Sequence, residues 1–117
     1  MSDFLWSDPE DNIQDWEQNP RGAGIIFGSN VVDKFLRANN VNLIVRAHQL
    51  MMEGYKIHFN GKLITVWSAP NYCYRCNNIA AIMKLDSNLK TDFITFTAAP
   101  EDYKPAPERK PLPEYFL

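Results

Sequence analysis

Tyr55-Lys56-Ile57-His58-Phe59-Asn60-Gly61-Lys62-Leu63-Ile64-Thr65-Val66-Trp67 is the stretch of this 117-residue chain where apolar alternation and turn chemistry agree most clearly. Asn60-Gly61 is the type I′ turn dipeptide, because both central positions of that turn need a positive φ. A two-residue loop there pairs Phe59 with Lys62, Ile57 with Ile64 and Tyr55 with Val66. Two apolar couples then share one face, while Lys56 and His58 fall on the other. On this reading His58 is a solvated surface histidine.

Upstream of the hairpin, residues 41–45 are apolar and β-branched and read as a buried strand that delivers Arg46-Ala47-His48 at its end. Before them, Ser29 is a good N-cap, Val32, Phe35 and Leu36 follow at helical spacing, and Asn39-Asn40 is a stop signal. Residues 9–22 are polar, with Pro9, Pro20 and Gly22 as breakers, and read as a long irregular loop. Residues 3–7 look like the end of an apolar strand running into Asp8-Pro9. Downstream, residues 79–85 and 92–96 form a strand pair around Asp86-Ser87-Asn88. Five of the eight prolines fall in residues 100–117, which read as an extended tail after a folded region over 1–99. One short helix and five or more strands indicate a mixed α/β or α+β fold. One such helix cannot cover both faces of the sheet, so the expectation is a fragment.

Composition narrows the class. With 45% hydrophobic and 22% charged residues the chain can bury a core. Its apolar runs are too short for a membrane-spanning helix, and no secretory leader is expected at the start. Residues 1–20 carry six acids and no base, leaving eight acids against twelve bases elsewhere. Neither part has a dense Lys/Arg stripe, so nucleic acid is not the expected partner. Two cysteines point to a reducing compartment, and the expected location is the cytoplasm or the nucleus.

Polar groups gather where strands end: Asp8, Arg21, His48, and Asn71-Tyr72-Cys73. Each alone is a weak signal, since a lone histidine or a Pro-Asn turn is commonplace. Cys73-Tyr74-Arg75-Cys76 has the spacing of a redox couple or half a zinc site. A structural zinc needs four ligands, and no second Cys/His pair stands at suitable spacing. A redox pair would open a helix, whereas Asn77-Asn78 leads from a loop into a strand.

In combination and in this order, Leu5-Trp6-Ser7-Asp8-Pro9, Pro20-Arg21-Gly22-Ala23-Gly24, Arg46-Ala47-His48-Gln49, Glu53-Gly54-Tyr55 and Val66-Trp67-Ser68-Ala69-Pro70-Asn71-Tyr72-Cys73-Tyr74-Arg75-Cys76 resemble the phosphoprotein phosphatase family. The ending Pro113-Glu114-Tyr115-Phe116-Leu117 resembles that of type 2A-like serine/threonine phosphatase catalytic subunits. The resemblance implies the C-terminal part of a calcineurin-like metallophosphoesterase β-sandwich flanked by helices. It further implies hydrolysis of phosphoserine and phosphothreonine by two divalent ions (manganese, iron or zinc) about 3.5–4 Å apart.

By resemblance, His48 matches a metal-binding histidine and Arg21 an arginine that clamps the substrate phosphate. Tyr72 matches an active-site tyrosine, with Cys73 and Cys76 at the rim where inhibitors dock. Asp8 and Asn71 support those groups from behind, and Leu117 is a carboxyl-methylation site. The implied partners are phosphoprotein substrates, scaffold and regulatory subunits and a carboxyl methyltransferase. The family's other metal-binding motifs are absent from this sequence, so the chain alone is expected to be inactive. Asn77 stands where glycine is usual, and Leu112 where threonine is common. Two other classes remain: a non-catalytic module that binds phosphatase regulatory partners, and a small redox or zinc protein resting on Cys73 and Cys76.

Overall fold

The structure, a computed structural model, describes residues 1–100; the proline-rich tail with Leu112 and Leu117 lies outside the described residues. Two compact units are formed among the described residues, one by Met1–His48 with Lys56–Thr65, the other by Gln49–Tyr55 with residues 66–100.

In the first unit, helix α1 (Ser2–Trp6) precedes strands β1 (Asp8–Pro9), β2 (Trp16–Gln18) and β3 (Ile25–Phe27). Of residues 3–7, the first four are therefore helical rather than extended, and only Ser7 is extended. Their apolar residues do not alternate, and none of the helix is buried, with Phe4 80% exposed. Residues 9–22 are not wholly irregular either. β1 pairs parallel with β3 (Asp8 opposite Ile26), and β2 pairs antiparallel with it (Trp16 opposite Phe27). Short polar edge strands carry no apolar alternation, and Pro9 is tolerated because β1 lies at a sheet edge.

Helix α2 (Ser29–Asn39) forms where the spacing of Val32, Phe35 and Leu36 predicts it. Asn40 closes it in the left-handed conformation, its amide donating to Arg37 O and Leu36 O. At the other end the cap is Gly28, not Ser29. The Ser29 and Asn30 amides donate to Ile13 O and Gln14 O, so neighbouring carbonyls satisfy the first turn instead of a side chain. A side chain at position 28 would collide with the Ile13 backbone, which explains the glycine.

Strands β4 (Ile44–Arg46), β5 (Tyr55–His58) and β6 (Leu63–Val66) form a sheet in the order β4-β6-β5. β4 and β6 are parallel, with Ile44 opposite Leu63 and Arg46 opposite Thr65. The expected strand at 41–45 is shorter and less buried than its composition suggests; Val45 is 47% exposed. The Asn60-Gly61 turn forms as expected, with both residues at positive φ and the Lys62 amide donating to Phe59 O. The expected faces do not hold: Lys56 is exposed as expected, but His58 is only 2% exposed and Ile57 is 53% exposed. β6 is central, with Leu63, Ile64 and Thr65 all buried, so its neighbour cannot be read as having one apolar and one wet face. Val32, Leu36 and Leu63 make the core, with Phe27, Ile44 and Phe59 packed against it.

The second unit contains the hairpin of β7 (Ala80–Leu85) and β8 (Thr91–Phe96), paired from Ala80–Phe96 to Leu85–Thr91. Its turn begins at Asp86, whose carboxylate accepts from the Asn88 and Lys90 amides. Phe93 stacks on Tyr55 at 3.9 Å between ring centroids. No helix among the described residues is long and apolar enough to cross a membrane.

Candidate functional site

Asp8, Arg21, Arg46 and His48 come together in the first unit. β1 carries Asp8 inward, where it is buried among cationic partners. Its Oδ1 accepts from Arg46 Nη2 at 3.2 Å and its Oδ2 from Asn19 Nδ2 at 3.1 Å, with Arg21 Nε 3.9 Å from Oδ2. Arg46 Nη2 also donates to Ser7 O at 2.8 Å. Burial pulls the Arg46 guanidinium below its ordinary value, a shift that the charge and hydrogen bond of Asp8 oppose.

Arg21 is placed by its neighbours. The Asn19 side chain accepts from the Arg21 amide at 3.0 Å, an Asx turn that Pro20 favours, and the Gly22 amide closes back onto Asn19 O. Beyond it, Gly24 has φ +68, and a Cβ there would lie 2.6 Å from the Trp6 carbonyl carbon. That close approach lets Ile25 N donate to Ser7 Oγ at 3.1 Å, locking the Arg21 loop to the segment that carries Asp8.

His48 follows β4 with φ +88, a backbone region that a non-glycine residue rarely occupies. Its ring meets Trp6 edge-on at 5.2 Å. The Nε2 atom is buried and has no hydrogen-bond partner. Burial lowers the His48 pKa; Asp8 opposes the shift, and Arg46 and Arg21 add to it. A neutral imidazole with an unpartnered nitrogen is the form that binds a metal ion. A single donor does not hold one, however, and no group of three or more His, Cys, Asp or Glu side chains among the described residues could. These residues alone do not fit a metal pair.

Asn71, Tyr72, Cys73 and Cys76 belong to the second unit. Asn71 and Cys73 are left-handed, as is Asn77, which can adopt the conformation of the glycine it replaces. Buried Asn78 ties the loop: its Oδ1 accepts from the Tyr72 amide and its Nδ2 donates to Ala69 O, each at 2.8 Å. Asn71 Oδ1 accepts from the Asn77 amide at 2.9 Å. The Tyr72 ring stands edge-on to Trp67 at 4.8 Å, and its hydroxyl pKa is raised by burial and by Cys73. Cys73 and Cys76 are free thiols in a single helical turn and the loop after it, not at the start of a helix.

Sequence reasoning missed Asn19, Arg46, Thr65 and His58 as parts of the first cluster. Asn19-Pro20 is a turn signal that could have marked the first. Arg46 was legible in the Arg46-Ala47-His48-Gln49 segment at the end of a strand, but no role followed for it.

The profile of the calcineurin-like phosphoesterase family matches residues 2–52, the segment that holds Asp8, Arg21, Arg46 and His48. Among solved structures, a protein serine/threonine phosphatase from Saccharomyces cerevisiae, described as similar to human phosphatase PP5, is 31% identical to this chain. The two superimpose with a TM-score of 0.73, over 83% of this chain and 33% of that one. The chain thus spans about a third of that protein's length. Its mixed α/β arrangement of small sheets is consistent with part of a calcineurin-like phosphoesterase fold.

Proposed function

We propose that this chain forms the C-terminal part of a type 2A-like phosphatase domain that hydrolyses phosphoserine and phosphothreonine in proteins. The similarities support a phosphatase-like hydrolase in general. The observation that carries the finer reading is His48, whose buried Nε2 lacks a partner beside the Asp8, Arg21 and Arg46 cluster. In this role His48 is one imidazole ligand of a dinuclear centre whose other ligands come from outside these 117 residues. Arg21 receives the phosphate, because a planar guanidinium offers two parallel N–H groups to two oxygens and an ammonium cannot. Asp8 sets Arg21 from behind; Tyr72, whose loop is tied by Asn71 and Asn78, is taken as an active-site tyrosine, with Cys73 and Cys76 as the inhibitor-docking thiols. Phosphoproteins are the substrates, and scaffold subunits, regulatory subunits and a carboxyl methyltransferase acting on Leu117 are the partners, in the cytoplasm or nucleus.

A second reading, a non-catalytic module for phosphatase partners, is favoured by the absence of a three-ligand group among the described residues. One experiment separates the two. The chain is assayed with p-nitrophenyl phosphate and manganese, alone and joined to the N-terminal part of the yeast phosphatase. The expected result is no turnover alone and turnover when joined, abolished by His48→Ala. Arg21→Lys should lose ~2–3 kcal/mol of transition-state binding, since it keeps the charge but not the fork. A joined form whose activity ignores both substitutions would overturn the reading.

A further inference from the structure

Four side chains of the first unit form a hydrogen-bonded row that leads into the Asp8 cluster. Asp11 Oδ2 lies 3.1 Å from His58 Nδ1, and His58 Nε2 lies 3.0 Å from Thr65 Oγ1. Arg46 Nη1 donates to the same hydroxyl at 3.5 Å, the longest link in the row. The parallel register that sets Arg46 opposite Thr65 makes this contact available. His58 and Thr65 are both buried.

The chemistry of the two ends fixes the direction of every bond between them. An ionised carboxylate only accepts and a guanidinium only donates. With a neutral ring, His58 Nδ1–H therefore donates to Asp11, Nε2 accepts the Thr65 hydroxyl proton, and the hydroxyl oxygen is left to accept from Arg46. We propose that His58 is a positioning residue: held by Asp11 as the Nδ1–H tautomer, it turns Thr65 into an acceptor for Arg46 and so sets the Arg46–Asp8 pair against which Arg21 rests. Its functional meaning rests on the reading of Arg21 as the phosphate-binding group.

Electrostatics support the neutral ring. The charged groups facing it are Asp11 from the loop after β1, Lys56 from β5 and Arg46 from β4. Burial lowers the His58 pKa, outweighing the opposing hydrogen bond and charge of Asp11. Protonation would make Nε2 a donor, leaving Thr65 with two donors and its own proton without an acceptor in the row. The Arg46 contact, already the longest, would be the first to open.

The test uses the full chain labelled with ¹⁵N at histidine and arginine. Multiple-bond ¹H–¹⁵N spectra at pH 7.5 should show His58 protonated on Nδ1; an Nε2–H tautomer overturns the proposal. The Arg46 guanidinium signal should broaden in His58→Leu and recover in His58→Gln, whose amide oxygen can accept from Thr65. It should also broaden in wild type as pH falls through the His58 titration but persist in His58→Gln, which separates His58 from His48. Inorganic phosphate should bind roughly three- to tenfold more weakly to His58→Leu, with recovery in His58→Gln. An Arg46 signal identical in wild type and His58→Leu overturns the proposal. If Arg46 responds as described but phosphate binds neither protein, the positioning role stands and the phosphate-binding reading of Arg21 falls. Should His58→Leu fail to fold, Thr65→Val must broaden the Arg46 signal and Thr65→Ser must preserve it; equal signals in that pair overturn the proposal.

Discussion

The two units organise polar groups by different means. In the first, a buried carboxylate, Asp8, is held by Arg46 and Asn19 and faces Arg21, so charge pairing fixes the cluster. In the second, the loop from Trp67 to Ile79 is held by neutral groups: the Asn78 and Asn71 amides and the Trp67 indole, which donates to Ala69 O at 2.8 Å. The difference concerns what happens when one group is removed. A buried ion pair that loses one partner leaves an uncompensated charge, whereas a lost amide leaves only unmade hydrogen bonds. Charge also brings dependence on pH, which the amide hydrogen bonds of the loop lack.

The largest effect should therefore follow Asp8→Ala. Arg46, whose side chain is 15% exposed, would lose its counter-charge. A loss of about 3–4 kcal/mol is expected in urea unfolding. Asp8→Asn should recover part of it by still accepting from Arg46. Asn78→Ala should cost less, about 2 kcal/mol, although it removes bonds to Tyr72 N, Ala69 O and Ile79 O. Equal costs for the two substitutions would show that the Asp8 cluster is not held by charge.

The same contrast explains how much was legible beforehand. Asn60-Gly61, the α2 spacing and Asp86-Ser87-Asn88 are local signals, and each formed where the sequence placed it, because turn and helix chemistry acts over a few residues. The burial of His58 was not legible. It depends on Asp11, 47 positions away in sequence, and on Thr65 across a strand that is buried on both faces. β1 and β2 escaped notice for a related reason: two- and three-residue strands are defined by β3, not by any pattern of their own. For the candidate site, the motifs marked Asp8, Arg21 and His48. Nothing local marked Thr65, and Asn19 showed only as the start of an Asn-Pro turn; both act as neighbours.

A smaller effect should appear on acidification. Burial holds the folded-state pKa of His58 below the ordinary imidazole value of about 6.5. The unfolded chain therefore takes up the proton first, and unfolding binds protons as pH falls below about 6.5. Stability from this group is complete above that pH and is lost as pH falls through the folded value. His48 is shifted in the same direction, so it adds to the decline. His58→Gln should flatten part of the slope of unfolding free energy between pH 7 and 5. Both histidines of the chain lie in the first unit. An unfolding free energy whose slope over that range is the same in wild type and His58→Gln would show that His58 does not contribute to it.

The smallest effect is expected from Tyr72→Phe. The ring is what holds position 72 in its loop: it stands edge-on to Trp67 at an interplanar angle of 89°, and the backbone amide is fixed by Asn78. Phenylalanine keeps both and gives up only the hydroxyl's contact with Cys73, so unfolding free energy should stay within about 0.5 kcal/mol of wild type. Tyr72→Ala removes the aromatic contact and should cost more, by roughly the 0.5–1.5 kcal/mol of an edge-on pair plus its buried area. The hydroxyl is thus separable from the fold, in contrast to the Asp8 carboxylate, whose charge is part of what holds its cluster together. In the joined form assayed above, a drop in turnover for Tyr72→Phe without a change in stability would assign the hydroxyl to catalysis. Unchanged turnover would leave the ring as the whole of its contribution and reduce Tyr72 to a support for its loop.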